Sequence, residues 1–434
     1  MKAVLLAAGA GERLLPLTAT RPKHLLKVGG KPILQFCLEA VKQAGIDEVI
    51  IVTHYMSEAI RSFFGDGTKL GLKITYAEQP KILGTGNAAG IAEHYLDSDF
   101  ALVYGDLLFG KCTIKEVTSK FRKGKTAAVV GVVPVEHPEN YGIIEQTTNG
   151  EVKRIIEKPA AGTAPSNLAN AGIYVFSHDV FDTIRQTKVS VRGEWELTDT
   201  INLFAAENKT VLAVQLSKDD WFDVGRPWDL LDANVWALKH MEHQIMGTVE
   251  EGAHLIGPIT VAKSARIRSG AYIEGPVFID EESDVGPNCY IRACTSLGKK
   301  TRVGNAVEIK NSIIMDGTHV GHLSYVGDSI LGERCNLGAG TVTANLRFDD
   351  GQIKMRIKDR VVNSGRRKLG TILGDDVKTG IKSLFMPGVK IGAGTWVGAN
   401  LMVEHDLPPN CTALLKQSNE VKLKKTSRQV NSTP

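Results

Sequence analysis

From Val249 to Ile309 an aliphatic residue stands at every sixth position without a miss: Val249, Leu255, Val261, Ile267, Ile273, Ile279, Val285, Ile291, Leu297, Val303 and Ile309. An α-helix repeats its apolar face every 3.6 residues and a plain strand every 2. A six-residue period excludes both and is the mark of a parallel β-helix, with three hexads per coil. The spacing predicts a register slip of one after Met315, with the repeat resuming at Val320, Val326, Leu331 and Leu337. A long insertion is expected over 345–369, after which Leu373, Phe385, Ile391, Val397 and Val403 restore the pattern.

The β-helix occupies only the second half of the 434 residues. Ahead of it the chain alternates short apolar runs with amphipathic stretches. Lys2–Leu6, Glu48–Thr53, Lys73–Ala77 and Phe100–Tyr104 read as buried strands. Residues 32–44 and Ser57–Phe64 read as helices, the first opened by Pro32 and closed by Gly45. The alternation predicts an α/β, Rossmann-like domain built on a mostly parallel sheet over 1–227. A linker helix is expected over 228–248, within a helical pattern running from Pro227 to Met246. The β-helix follows over 249–406, and a polar, basic tail over 407–434. His240 and His243 are read as solvated positions on the linker helix.

A net charge of +4 gives no reason to expect nucleic acid as a partner. The six cysteines form no C-x-x-C pair, so buried thiols in a reducing compartment are expected rather than disulfides or zinc. No apolar run is long enough for a membrane span, and the expectation is a cytoplasmic protein without membrane contact.

The first strand runs into Gly9, Gly11 and Arg13, then Pro16-Leu17-Thr18, then Pro22-Lys23. Glycines let backbone N–H groups approach an anion, and Arg13 and Lys23 add full positive charge. The loop lacks the third glycine of a dinucleotide fingerprint and the Gly-Lys-Ser/Thr of a Walker loop. Ligands of parallel sheets lie at the carboxyl ends of the strands, which is where this loop falls. The whole stretch resembles the signature of the sugar-phosphate nucleotidylyltransferases. That resemblance implies a nucleotide site formed by Leu6, Ala8, Gly9 and Gly11, with Gln79, Gly84 and Thr85 reading a pyrimidine, so UTP or dTTP. It implies that Arg13 and Lys23 are catalytic. Asp106 and Asp223, each after an apolar run, would be carboxylate ligands for Mg2+. Gly142, Glu157, Lys158 and Asn170 would hold the sugar phosphate. Family members that make UDP-N-acetylglucosamine often carry Asn where this chain has Asp223, so the nucleotide stays open.

In the β-helix, Arg292 and Lys310 are one coil apart and should stack as unpaired cations suited to an anion. Gly321-His322-Leu323-Ser324-Tyr325-Val326-Gly327-Asp328 and then Asn336 to Asn345 follow. These stretches resemble the acetyltransferase half of the bifunctional glucosamine-1-phosphate N-acetyltransferase / N-acetylglucosamine-1-phosphate uridylyltransferases, in an archaeal-type form. The resemblance implies a left-handed β-helix, a homotrimer, acetyl-CoA as donor and His322 as general base. Arg292 and Lys310 would grip the sugar phosphate. Tyr325, Asn336, Asn345 and Lys368 would complete the acetyl-acceptor and acetyl-CoA site. The resemblance implies glucosamine 1-phosphate or galactosamine 1-phosphate as the acceptor. The basic insertion reads equally as a solvated hairpin and as a contact for phosphates. A single-activity pyrophosphorylase for glucose or mannose 1-phosphate, with a regulatory or trimerising β-helix, is the alternative.

Overall fold

A computed structural model describes residues 1–123, 126–207 and 209–422; the end of the basic tail lies outside the described residues. The first domain is built on a nine-stranded sheet. Strands β1 (Lys2–Ala7), β2 (Glu48–Thr53), β3 (Lys73–Glu78) and β4 (Phe100–Tyr104) form its parallel half, in the order β4-β1-β2-β3. Strand β5 (Leu107–Phe109) follows β4 at once and leaves the sheet. The other half is β6 (Ala128–Pro134), β7 (Gly142–Gln146), β8 (Val152–Glu157), β9 (Leu168–Phe176) and β10 (Val211–Gln215). There β9 runs antiparallel to β4, β6 and β7, so the sheet is mixed on this side. Strand β11 (Trp221–Asp223) pairs with β5 as a separate ribbon.

Helix α1 (Ile33–Gln43) turns Leu34, Cys37, Leu38 and Val41 onto the sheet and Ile33 into the junction with the second domain, and α2 (Ser57–Phe64) buries Ile60 and Phe64. The short α3 (Thr85–Ile91) starts at Gly84 and buries Ala88 and Ala89. Helix α4 (Pro227–Lys239) is shorter than its periodicity predicts. Beyond His240 the chain is claimed by the open end of the β-helix, where unpaired strand groups need a cover. Met246 N–H donates to Val261 O at 2.9 Å, and Val261 N–H donates to Gln244 O at 2.8 Å. His243 is therefore not on a helix surface: its Nδ1 accepts the Ile259 N–H at 2.7 Å.

The second domain is a three-sided, left-handed parallel β-helix. Among the described residues its faces hold nine, eight and seven strands, and the hexad aliphatics from Val261 onward stack inside as one core, while Val249 in the first turn is exposed. The slip falls between Ile309 and Ile314, one hexad before the expected place after Met315. Ile314, not Met315, takes the inward position, paired with Leu297 and Leu331, while Met315 turns outward into the junction between the domains. After Thr343 the chain leaves the coil, and Leu369 N–H rejoins Asn345 O at 3.0 Å. Between them Lys354–Ile357 and Arg360–Asn363 form an antiparallel hairpin.

The domains share an apolar cluster. Trp228, Leu230 and Leu231 of α4 meet Leu14, Leu17 and Leu26 of the glycine-loop segment, Ile313 and Ile372 of the β-helix, and Ile353, Met355 and Ile357 of the hairpin. Asn234 on α4 pins the junction. Its Oδ1 accepts from Gly29 N–H (2.8 Å) and Ser296 Oγ (2.7 Å), and its Nδ2 donates to Cys294 O (3.0 Å). Among the described residues no helix is long and apolar enough to cross a membrane.

Candidate functional site

Two cavities open at the carboxyl ends of β1 and β4. The smaller, about 180 Å³, is lined by Leu6, Ala8, Gly9, Lys23, Gln79, Gly84 and Thr85. The larger, about 300 Å³, is lined by Arg13, Gly142, Glu157, Lys158, Asn170 and Asp223. Thr85, Tyr104, Asp106 and Glu194 line both, so the cavities meet at Asp106. Residues expected for the nucleotide thus fall in one and those expected for the sugar in the other. Gly11 lines neither: at φ 68° it makes the turn that brings its backbone against Lys23 and Thr18.

Lys23 and Asp106 form a direct ion pair. Burial opposes ionisation of Asp106, but the Lys23 ammonium outweighs it and holds the carboxyl below its ordinary value. Asp223 sits opposite, because β11 pairs Asp223 with Leu107. Burial pushes its carboxyl up, and the charge on Asp106 pushes it further. Two carboxylates that repel each other in a pocket suit a hard cation. Among the described residues no third acidic, His or Cys ligand joins them. That donor set fits Mg2+, which takes one or two carboxylates and completes its shell from phosphate oxygens and water. Arg13 lies flat on Gly225, where a Cβ would stand 3.1–3.2 Å from its guanidinium atoms.

Gln79 is buried and its Nε2 donates to Asn87 Oδ1 at 2.8 Å, which leaves the amide oxygen as its remaining acceptor. Gly84 adopts φ 107°, and Trp195 N–H donates to Leu83 O at 2.8 Å, closing a rim over the smaller cavity. On the sugar side the Glu157 carboxylate lies across Gly142, whose absent Cβ would be 2.7 Å from Oε2. Burial raises the Glu157 carboxyl, against the pull of Arg192. Asn170 is less free than expected. Its Nδ2 donates to Tyr174 Oη at 2.6 Å and its Oδ1 accepts the Gly172 N–H at 3.1 Å. Lys158 is exposed at the rim.

Sequence reasoning passed over Arg192. It bridges Glu157 (3.2 Å) and Glu196 (2.9 Å) inside the larger cavity. The charged run Arg192-Gly193-Glu194-Trp195-Glu196 just before a helix was the available signal. Asp229 was also missed. It caps α4 by accepting Arg226 N–H (2.7 Å) and Gly225 N–H (3.1 Å), and burial, followed by the charge of Asp223, pushes it up to about 7.

On the β-helix, Arg292 stacks over Lys310 as the spacing predicts: Arg292 N–H donates to Ile309 O at 2.8 Å. The cations are not unpaired, however. Arg292 Nη1 meets Glu308 at 2.9 Å, and Lys310 Nζ meets Asp328 at 3.2 Å. Asp328, quoted in the motif but given no role, organises the cluster. Its buried carboxylate also accepts from Asn311 Nδ2 (2.7 Å) and Asn345 Nδ2 (2.5 Å), and Asn345 Nδ2 lies 3.1 Å from Tyr325 Oη. His322 ends the strand His319–His322, in the middle of the adjoining face, is exposed, and is free of side-chain hydrogen bonds among the described residues. Asn336 is exposed on that face, in register with His319 and Lys378. Lys368 is exposed at the root of the insertion, bridged through its backbone to Leu346.

The insertion is not a solvated hairpin. Ile353, Met355 and Ile357 are packed between the domains, although Phe348 and Val361 are exposed, and much of its charge is paired: Lys358 with Glu12, Arg366 with Asp232, Arg347 with Asp349, and Arg367 with Asp350.

Residues 2–240 match the family model described as nucleotidyl transferase, and 273–391 the model described as GMPPB C-terminal domain. A relative from Methanocaldococcus jannaschii, named bifunctional protein GlmU, is 45% identical over 94% of this chain and 96% of its own. One from Sulfurisphaera tokodaii, named bifunctional sugar-1-phosphate nucleotidylyltransferase/acetyltransferase, is 40% identical over 94% and 98%. The Haloferax volcanii low-salt glycan biosynthesis nucleotidyltransferase Agl11 is 40% identical over 78% of this chain and 94% of its own. A crystal structure of a putative glucose-1-phosphate thymidylyltransferase from Bacillus anthracis superposes with a TM-score of 0.51 at 31% identity, covering 56% of this chain and 98% of that one.

Proposed function

The chain belongs to the family of bifunctional sugar-1-phosphate nucleotidylyltransferase/acetyltransferases, and we propose that it acetylates an amino sugar 1-phosphate and then joins the product to a nucleotide. In the first step the sugar amine attacks the thioester carbonyl of acetyl-CoA. A C–N bond forms, the C–S bond breaks, and the coenzyme leaves as its thiol. The amine must lose a proton to complete this attack. His322, exposed beside the Asp328 cluster, is the base that takes it. Lys310 and Arg292 hold the sugar phosphate. Tyr325, Asn336, Asn345 and Lys368 place the acceptor and the acetyl donor. The observation that carries this activity is the bonded set of Lys310, Asp328, Asn345 and Tyr325. A β-helix serving only as scaffold has no use for a buried carboxylate that fixes a lysine and an amide side by side.

In the second step an oxygen of the sugar phosphate attacks the α-phosphorus of UTP or dTTP, and pyrophosphate leaves. No covalent enzyme intermediate is required, so positioning and charge neutralisation carry the rate. Gln79 offers an acceptor for the N3–H of a pyrimidine, and Lys23 offsets charge at the reacting phosphorus. Arg13 binds on the pyrophosphate side. Glu157 takes sugar hydroxyls, Lys158 reaches the sugar phosphate from the rim, and Arg192 holds Glu157 in place. Asp106 and Asp223 are the residues that would hold Mg2+, which when bound supplies positive charge to the phosphates.

A cytoplasmic location follows from the substrates. A homotrimer covers the large side chains left exposed along the β-helix, among them Tyr272, Leu323, Leu384, Trp396 and Met402. The single-activity alternative is the reading suggested by the Haloferax relative's name. One experiment separates the two. The protein is incubated with acetyl-CoA and glucosamine or galactosamine 1-phosphate, without nucleotide, beside His322→Ala, and free thiol is followed. Thiol release that falls at least ~100-fold in the variant is expected of a lost general base. No release with either sugar, while pyrophosphate still forms from UTP or dTTP and an N-acetyl sugar 1-phosphate, refutes the acetyltransferase.

A further inference from the structure

The segment that carries Arg13 and Lys23 has little regular structure of its own. It is three single 3₁₀ turns, Glu12–Leu14, Leu17–Ala19 and Lys23–Leu25, joined by a turn at Leu15-Pro16 and a bend at Thr20-Arg21. Such turns are poorly bonded and do not hold a geometry unaided. Its own domain holds it through Thr18, whose O accepts from Tyr55 Oη and whose Oγ1 donates to Gly11 O, both at 2.9 Å, and the other domain holds it at four further points. Glu12, beside Arg13, is ion-paired to Lys358 of the inserted hairpin. Thr20 Oγ1 donates to Asp375 Oδ2 at 2.7 Å. The Arg21 guanidinium is bonded to both Glu333 and Asp375 of the β-helix. Lys27 reaches Asp316 at 2.6 Å. Between these points Leu14 and Leu17 are buried with Ile313, Ile372 and the hairpin residues Met355 and Ile357.

Arg21 is the centre of this clamp. Its side chain is 14% exposed and that of Asp375 only 2%, so the pair is shielded from water. Asp375 is itself fixed, because its Oδ1 accepts the Glu333 N–H at 2.9 Å. Arg21 stands two residues before Lys23, with only Pro22 between them. Proline permits little adjustment of φ, so a displacement at Arg21 passes to Lys23. Nothing places Arg21 against a substrate: it lines neither cavity.

We propose that Arg21, gripped by Glu333 and Asp375, is a positioning residue for nucleotidyl transfer, and that the β-helix thereby sets the geometry of a catalytic loop in the other domain. This rests on the reading of the first domain as a nucleotidyltransferase. It implies that the β-helix is part of the nucleotidyl machinery whether or not it also transfers acetyl groups. An exposed surface ion pair would be worth too little to matter, but this shielded, multiply bonded one is not of that kind.

The test uses the full chain with Arg21→Ala, Arg21→Lys and Asp375→Asn, the last altering only the β-helix. Pyrophosphate release is measured at varied nucleotide and at varied sugar 1-phosphate. Thiol release from acetyl-CoA and amide hydrogen exchange of peptides covering 11–28 are followed on the same samples. Arg21→Ala and Asp375→Asn should lower kcat for pyrophosphate release about tenfold or more, with a smaller change in KM. Exchange over 11–28 should speed up while peptides from β1 and β4 keep their rates. Thiol release should stay within twofold of the starting protein, and Arg21→Lys should recover part of the loss. Unchanged kcat in Asp375→Asn together with faster exchange over 11–28 overturns the proposal, since the loop would then be loosened without consequence. Unchanged kcat with unchanged exchange overturns it as well, because the clamp would then hold nothing. Absence of pyrophosphate release from the unaltered protein refutes the nucleotidyltransferase reading itself, and that failure is visible before any variant is made.

Discussion

Asp328 offers the most direct test of how the β-helix face is assembled. Its side chain is 4% exposed and that of Lys310 21%. The carboxylate accepts from Lys310 at 3.2 Å, Asn311 at 2.7 Å and Asn345 at 2.5 Å. Removing one member of a buried ion pair costs about 3–5 kcal/mol, because the other charge is left desolvated. Lys310 retains some access to water, which places Asp328→Ala at the lower end, about 3 kcal/mol. Asp328→Asn keeps an oxygen for one or two of the amide donors and loses only the charge. A hydrogen bond to a charged group is worth about 1.5–3 kcal/mol, against about 1 for a neutral one, so the expected cost is about 1–2 kcal/mol. The activity consequence should exceed the stability consequence. Without the carboxylate, Asn345 no longer has its shorter contact, and Tyr325, folded across Gly327, loses a fixed neighbour. The assay is urea unfolding of the two variants, followed by thiol release and pyrophosphate release on the same preparations. Both variants should lower kcat/KM for acetyl transfer at least ~10-fold, Ala more than Asn, while pyrophosphate release is retained. If Asp328→Asn unfolds within 0.5 kcal/mol of the unaltered protein (about the scatter of a neutral surface change) and transfers acetyl groups at an unchanged rate, the cluster is not the organising element of that site.

Two further outcomes follow from the first domain. Asp229 is an acid whose folded-state value, about 7, lies above its ordinary 3.8. Its burial therefore costs nothing below about pH 4, where both states are protonated, and the full penalty applies above pH 7. Stability should fall as pH rises through that window, by at most about 4 kcal/mol from this group, and Asp229→Asn should flatten that part of the profile in urea unfolding at pH 4.5 and 7.5. An unaltered slope in the variant would show that Asp229 does not titrate there. Gly84→Ala should damage the nucleotide cavity specifically: a Cβ there would lie 2.4 Å from Trp195 O, on a backbone at φ 107° that only glycine adopts cheaply. The expected result is at least ~10-fold weaker nucleotide binding by calorimetry with acetyl transfer intact, and equal affinity would mean that the Trp195 rim moves freely.

What could be read from the sequence was periodic or local. The hexads placed the interior of the β-helix because each inward position repeats one physical demand, an aliphatic side chain filling the same narrow prism. The glycine loop and Asp106 were legible because chain order itself puts them at the ends of β1 and β4. Three things were less accessible. The end of α4 was hidden because Met241 and Ile245 continue an apolar pattern, although the first coil captures Ile245 in a parallel bridge to Val261. The hairpin carried its signal in Ile353-Lys354-Met355-Arg356-Ile357, a strict alternation that belongs to a half-buried strand. Its conspicuous positive charge drew attention to the solvent side instead. Charge partnership was the least legible of all. Arg21 and Asp375 are separated by 354 positions, and Lys310 meets Asp328 only because a coil closes between them. A cation in a sequence shows an appetite for a carboxylate or a phosphate without showing which. Here Arg292 and Lys310 read as open to an anion, and Lys358 and Arg366 of the insertion read equally as solvated or as phosphate contacts, yet each has a carboxylate from its own chain. The distinction that matters is what lies beyond the pair. Lys310 keeps part of its side chain in contact with water and can exchange its bond to Asp328 for one to a substrate. Arg21 and Asp375 are closed into a junction, and there the same chemistry serves to hold a loop still.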